Sequence, residues 1–185
     1  MLKPSSICVY CGSAEDVAQP YKDAAAELGR IAGENGIDVV YGGGRSGLMG
    51  LVANAALLAG GRVIGVLPQA IVAMEVAHGA LTETIVVDTI HRRKQTMADR
   101  AEAFVILPGG LGTLDEGMEI LAWRQLRFHD RPVVIVNVDG YWDPLLAMLE
   151  RAAAEGFIYA RGKTLFRVVT QVEHVLPAIA AQLAE

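Results

Sequence analysis

The chain has 185 residues, 52% of them hydrophobic, 20% charged and 6% aromatic, which suits one well-buried core and excludes a disordered chain. Its formal net charge of −5 argues against a sequence-independent grip on nucleic acid or acidic lipid, so any anionic ligand must be met by a local cluster of donors. Nothing reads as a secretory leader or a membrane span, because the weakly charged stretch 48–67 is broken by Gly60, Gly61 and Arg62, and the expected compartment is the cytoplasm.

The first expected strand is 6–10. Cys8 and Cys11 form a C-x-x-C spacing there, but an offset of three along a strand points the two side chains to opposite faces, which favours two inert thiols over a redox pair or half a zinc site. Tyr21, Ala25, Leu28 and Ala32 then recur with helical period up to a stop near Gly36. Further strands are expected at 38–41, 62–67, 103–107 and 132–136, with weaker candidates at 84–87 and 166–169. Leu145, Leu149 and Ala152 mark a later helix, and Val172, Val175, Leu176, Ile179 and Leu183 a last one. Apolar strands alternating with amphipathic helices predict an α/β fold: a single Rossmann-like, doubly wound parallel sheet spanning 1–185, with helices on both faces. Ligands in such folds sit beyond the carboxyl ends of the strands, which directs attention to 11–13, 42–47, 108–116 and 137–141.

Gly42-Gly43-Gly44-Arg45-Ser46-Gly47 satisfies G-x-G-x-x-G. It follows the second strand instead of the first, and the next strand ends in Pro68-Gln69 without an acidic residue for a ribose, so a nicotinamide cofactor is a weak reading. The turn could serve as an anion site or simply as close helix–strand packing. Pro108-Gly109-Gly110-Leu111-Gly112-Thr113-Leu114-Asp115-Glu116 is more specific. Its glycines let backbone N–H groups close around a phosphate where a helix begins, and the Thr113 hydroxyl adds a donor. Glu116 has the spacing of a capping box after Thr113, so capping its own helix is the competing reading. Asp88 to Lys94 opens another helix with Arg92, Arg93 and Lys94 in its first turn. Cations there oppose the helix dipole, so local stability does not explain them; a phosphorylated substrate would, and a solvated charged face is the competing reading.

The Arg93-Lys94 pair followed by P-G-G-x-G-T-x-x-E at 108–116 resembles the signature of the LONELY GUY phosphoribohydrolases. The likeness extends to Cys11-Gly12-Ser13, Tyr41 to Gly44, Gly47-Leu48-Met49-Gly50, Glu75 and Asn137 to Tyr141, with Ile90 and Asp115 as mild departures. The resemblance implies hydrolysis of adenosine 5′-monophosphates, often N6-modified, to free base and ribose 5-phosphate. It also implies a homodimer, no cofactor and no metal. The lysine decarboxylase label once given to such proteins finds no support, since no lysine sits in a pyridoxal phosphate context. Arg93 and Glu116 are the expected catalytic pair. Substrate contacts are expected from Ser13, Gly43, Gly44, Glu75, Lys94, Gly109, Gly110, Leu111, Gly112, Thr113, Leu114 and Asp115. Glu116 could stabilise positive charge on the sugar, hold a hydroxyl or activate water, while Arg93 orients the nucleotide or assists the leaving base. Lys94 points some 100° away from Arg93 on an ideal helix. A helix at 113–126, carrying Trp123 and Leu126, is the expected dimer contact. The competing function is a nucleotide- or molybdenum-cofactor-binding carrier on the same fold without catalysis.

Overall fold

A computed structural model describes residues 3–72, 77–159 and 164–185. Seven strands form among the described residues: β1 (Ser6–Tyr10), β2 (Asp38–Tyr41), β3 (Val63–Pro68), β4 (Glu83–Val87), β5 (Ala103–Ile106), β6 (Val133–Val136) and β7 (Arg167–Val169). They make one sheet in the order β4-β3-β2-β1-β5-β6-β7, every pairing parallel. Apart from Ser6 and Asp38 at their starts, the interior strands β1, β2, β3, β5 and β6 are near-continuous apolar runs because both of their faces are covered. Successive β1 residues serve opposite cores: Ile7, Val9 and Cys11 one, Cys8 and Tyr10 the other. The two cysteines are therefore separated by the sheet, and burial pushes both thiols well above the ordinary range.

Three helices pack into the first core: α1 (Gln19–Glu34), α2 (Gly47–Leu58) and α7 (Val175–Leu183). The short α3 (Gln69–Val72) follows β3. On the opposite face lie α4 (Ile90–Asp99), α5 (Leu111–Gln125) and α6 (Asp143–Ala154), which contribute Met97, Ala98, Ile120, Leu121 and Leu145. From β1 the chain winds outward to β4, then returns to lay β5 on the other side of β1. The loops after β1 and β5 therefore diverge from adjacent strand ends, and this reversal is where doubly wound sheets open a crevice. No helix among the described residues is long and apolar enough to cross a membrane.

Candidate active site

Three loops gather around the turn after β5. The Gly12 N–H donates to the Pro108 carbonyl at 3.0 Å, and a Cβ on Gly12 would lie 3.2 Å from the Gly109 Cα. The Gly12 carbonyl in turn accepts from Leu48 N–H at 3.0 Å, in the first turn of α2. Gly47 backs onto Ser13 with φ +59°, a backbone conformation that a side chain would strain. From the other side, the Tyr141 hydroxyl donates to the Gly109 carbonyl at 2.7 Å.

The α2 start and the α5 start now separate in role. Gly12 already occupies the Leu48 N–H, and the carbonyls of Gly43 and Gly44 accept from His78 N–H and the Tyr41 hydroxyl. The turn after β2 is thus knitted into its own surroundings. At α5, by contrast, Gly110 is the N-cap and brings no side-chain acceptor. Gly110 and Gly112 are exposed, neither has a positive φ, and a Cβ on either would meet nothing within 4 Å. Neither packing nor backbone conformation requires glycine at these two positions; inside α5 Gly112 costs about 1 kcal/mol, whereas Gly110 is an N-cap, where glycine is well tolerated. A ligand approaching the backbone closely would explain glycine at Gly112.

Behind this start, Arg93 and Glu116 meet. Nη1 donates to Glu116 Oε1 at 2.9 Å, Nε to the Val66 carbonyl at 3.0 Å and Nη2 to the Gly42 carbonyl at 3.3 Å. The two side chains are 13% and 10% exposed, so the pair is sequestered yet still reachable from the crevice. A Cβ on Gly42 would collide with the Arg93 guanidinium, which explains the glycine there. Burial raises the affinity of Glu116 for a proton, and the neighbouring Arg93 charge only partly offsets this; the net shift is upward. The capping reading of Glu116 fails, because α5 begins at Leu111 and Thr113 is its third residue instead of its cap.

Lys94 faces elsewhere, on the far side of the turn from Arg93. Its ammonium bonds Asp115 at 3.0 Å and Glu119 at 3.1 Å, tying α4 to α5 on either side of Glu116. Burial alone would lower its proton affinity, but the two carboxylates outweigh that and raise it. Thr113 is buried and its hydroxyl lies beneath Gly109, while Leu114 packs against the core. Leu111 stands 86% exposed at the mouth, and Ser13 is exposed on the neighbouring loop. Arg92 is exposed, and its N–H donates to the Thr89 hydroxyl that caps α4. Glu75 lies outside the described residues. Absent from the sequence expectations were the Gly42 and Val66 carbonyls that aim Arg93, and the Tyr141 hydroxyl. Backbone acceptors leave no residue signature, although Tyr141 stood within a loop already marked for its position.

The site can bind an anion at the α5 start and present an arginine-held, proton-hungry carboxylate behind it. Comparison with known proteins agrees in kind. The profile of the family described as "Possible lysine decarboxylase" matches residues 49–179. The cytokinin riboside 5′-monophosphate phosphoribohydrolase LOG of Oryza sativa subsp. japonica is 50% identical over 152 residues, covering 82% of this chain and 63% of that protein. An Arabidopsis thaliana enzyme of the same name, LOG1, is 46% identical over 152 residues, covering 82% of this chain and 71% of its own. Among solved structures, the molybdenum cofactor carrier protein of Chlamydomonas reinhardtii superposes with a TM-score of 0.74 at 24% identity over 100% of both chains. The molybdenum cofactor binding protein of Rippkaea orientalis gives 0.74 at 23% identity over 99% of both. At that identity these two share the fold and nothing finer. With 50% identity to the rice protein over 82% of its length, the chain belongs to the LONELY GUY family, whose named members here are phosphoribohydrolases.

Proposed function

We propose that this protein hydrolyses the N-glycosidic bond of adenosine 5′-monophosphates, N6-modified ones included, releasing free base and ribose 5-phosphate. The observation that carries the reading is the Arg93–Glu116 pair at 2.9 Å, buried behind a helix start whose exposed Gly112 has no packing or conformational reason to be glycine. In this mechanism the 5′-phosphate sits on the first-turn N–H groups of α5, where the helix dipole favours negative charge. The sugar then lies toward Glu116. As the C1′–N9 bond breaks, its electron pair leaves with the purine and positive charge grows on the sugar, which the carboxylate stabilises. A water oxygen bonds to C1′, Glu116 takes the water's proton, and that proton ends on the departing base. The raised proton affinity of Glu116 suits this exchange near neutral pH. Arg93 holds Glu116 in place and meets the nucleotide from the crevice side.

The name borne by the rice and Arabidopsis relatives, cytokinin riboside 5′-monophosphate phosphoribohydrolase, supports the same substrate class. One nucleotide-binding domain over 1–185 belongs to this reading, as does a cytoplasmic location, which two free buried thiols suit. So does a homodimer: Leu126 and Phe128, just beyond α5, are 54% and 74% exposed, whereas Trp123 is half-buried against the core. The test is incubation of the purified protein with AMP and chromatography of the products. Equimolar adenine and ribose 5-phosphate are expected; bound but uncleaved AMP would favour a carrier.

A further inference from the structure

The loop after β6 contains an unexplained piece of construction. Asn137 spans it: its Oδ1 accepts from Trp142 N–H at 2.7 Å and its Nδ2 donates to Asp143 Oδ1 at 2.7 Å. Inside this clamp Asp139 and Gly140 both take left-handed conformations, φ +49° and +72°. For a non-glycine residue this is uncommon and costs free energy. The turn delivers Tyr141 edge-on against Tyr21 of α1, with ring centroids 5.4 Å apart, and places its hydroxyl 2.7 Å from the Gly109 carbonyl.

That carbonyl belongs to the peptide unit joining Gly109 to Gly110. In a trans peptide the C=O and the following N–H point in opposite directions. With glycine on both sides, this is the unit of the loop most free to flip. We propose that Tyr141 is a positioning residue for phosphate binding: by holding the Gly109 carbonyl, its hydroxyl keeps the Gly110 N–H turned into the crevice. The inference rests on the phosphate being bound at the α5 start, as in the proposed function. It assigns the clamped turn 137–143 a purpose, which is to reach across from β6 and hold the Gly109–Gly110 peptide in the turn after β5.

Tyr141→Phe keeps the ring contacts and removes only the donor, so the fold is retained. The expected result is KM for AMP and Ki for ribose 5-phosphate each raised roughly tenfold, the effect of one weakened charge-assisted hydrogen bond, with kcat within about twofold and the melting temperature little changed. Inhibition by free adenine, which carries no phosphate, should be unaffected. Tyr141→Leu, which also removes the ring, should lower the melting temperature yet raise KM no further. An unchanged KM in Tyr141→Phe overturns the inference and leaves the hydrolase reading intact, as does a fall confined to kcat. Should the parent bind AMP without cleaving it, calorimetry with AMP replaces turnover: tenfold weaker binding by Tyr141→Phe then sustains the positioning role while the hydrolase reading falls.

Discussion

Replacing Arg93 by lysine keeps the charge and removes the fork. The native guanidinium makes three directed hydrogen bonds, to Val66 O, Gly42 O and Glu116 Oε1. A lysine ammonium is a compact point charge on a flexible stem and can replace at most one of them well. With the pair 13% and 10% exposed, losing two bonds from a charged donor should cost about 3 kcal/mol or more, and Arg93→Ala, which leaves Glu116 without its cation, about 3–5 kcal/mol. For a chain of this size each 1 kcal/mol lowers the melting temperature by roughly 2–4 °C, so both variants should melt visibly early. Turnover should fall by about 10²-fold or more in each, because Glu116 loses the partner that fixes its position and a misplacement near 1 Å costs that much. The assay is AMP turnover at a temperature where circular dichroism shows both variants folded, alongside thermal melts. A lysine variant with near-parental turnover, or an alanine variant that melts with the parent, would refute the role assigned to the three-bond anchor.

Glu116→Gln should lower kcat by roughly 10²–10⁴ while AMP still binds. Since the folded protein raises the proton affinity of this carboxyl, its stabilising contribution is present at low pH and lost as pH rises through the shifted value; the parent should therefore lose stability relative to Glu116→Gln as pH rises through that range. By the same shift, the acid limb of the parental kcat/KM profile should fall above 4.5, the ordinary value for glutamate, and an acid limb at or below it would contradict Glu116 as the ionised catalyst. Lys94→Met should lower stability by at most about 1 kcal/mol, because Asp115 and Glu119 are exposed enough for water to replace the ammonium, with KM for AMP nearly unchanged; a large rise in KM would restore Lys94 as a substrate contact. Light scattering should give twice the 19.7 kDa of one chain, and a monomer at micromolar concentration would remove the dimer.

What could be read from the sequence divides along physical lines. The interior strands announce themselves, because a strand covered on both faces must be apolar throughout. β4 lies at one edge and alternates half-buried with exposed residues, and β7 at the other edge is only three residues long, so both are weaker in the sequence. The expected α5 began too late, since Gly110 and Gly112 discourage a helix locally while the fold starts one at Leu111. The last helix reads as a single run from Val172, but its first turn is a tight 3-10 turn over Val172–His174. In the site, the glycine-rich turn and the acidic and basic residues were legible one at a time. Their pairing was not. Arg93 and Glu116 are 23 residues apart, Lys94 finds two acids on another helix, and only the folded sheet brings the Gly42 and Val66 carbonyls to the guanidinium. Glu75 remains a sequence expectation, outside the described residues.

The central claim, hydrolysis organised around a bound 5′-phosphate, is tested most directly by comparing kcat/KM for AMP and adenosine on the same preparation. The nucleoside lacks every contact made at the α5 start, and three lost charged hydrogen bonds at roughly 1.5–3 kcal/mol each amount to about 10³-fold or more. Cleavage of AMP to adenine and ribose 5-phosphate with adenosine at least about 10³-fold slower is the predicted outcome; comparable rates on the two, or cleavage of neither, would contradict it.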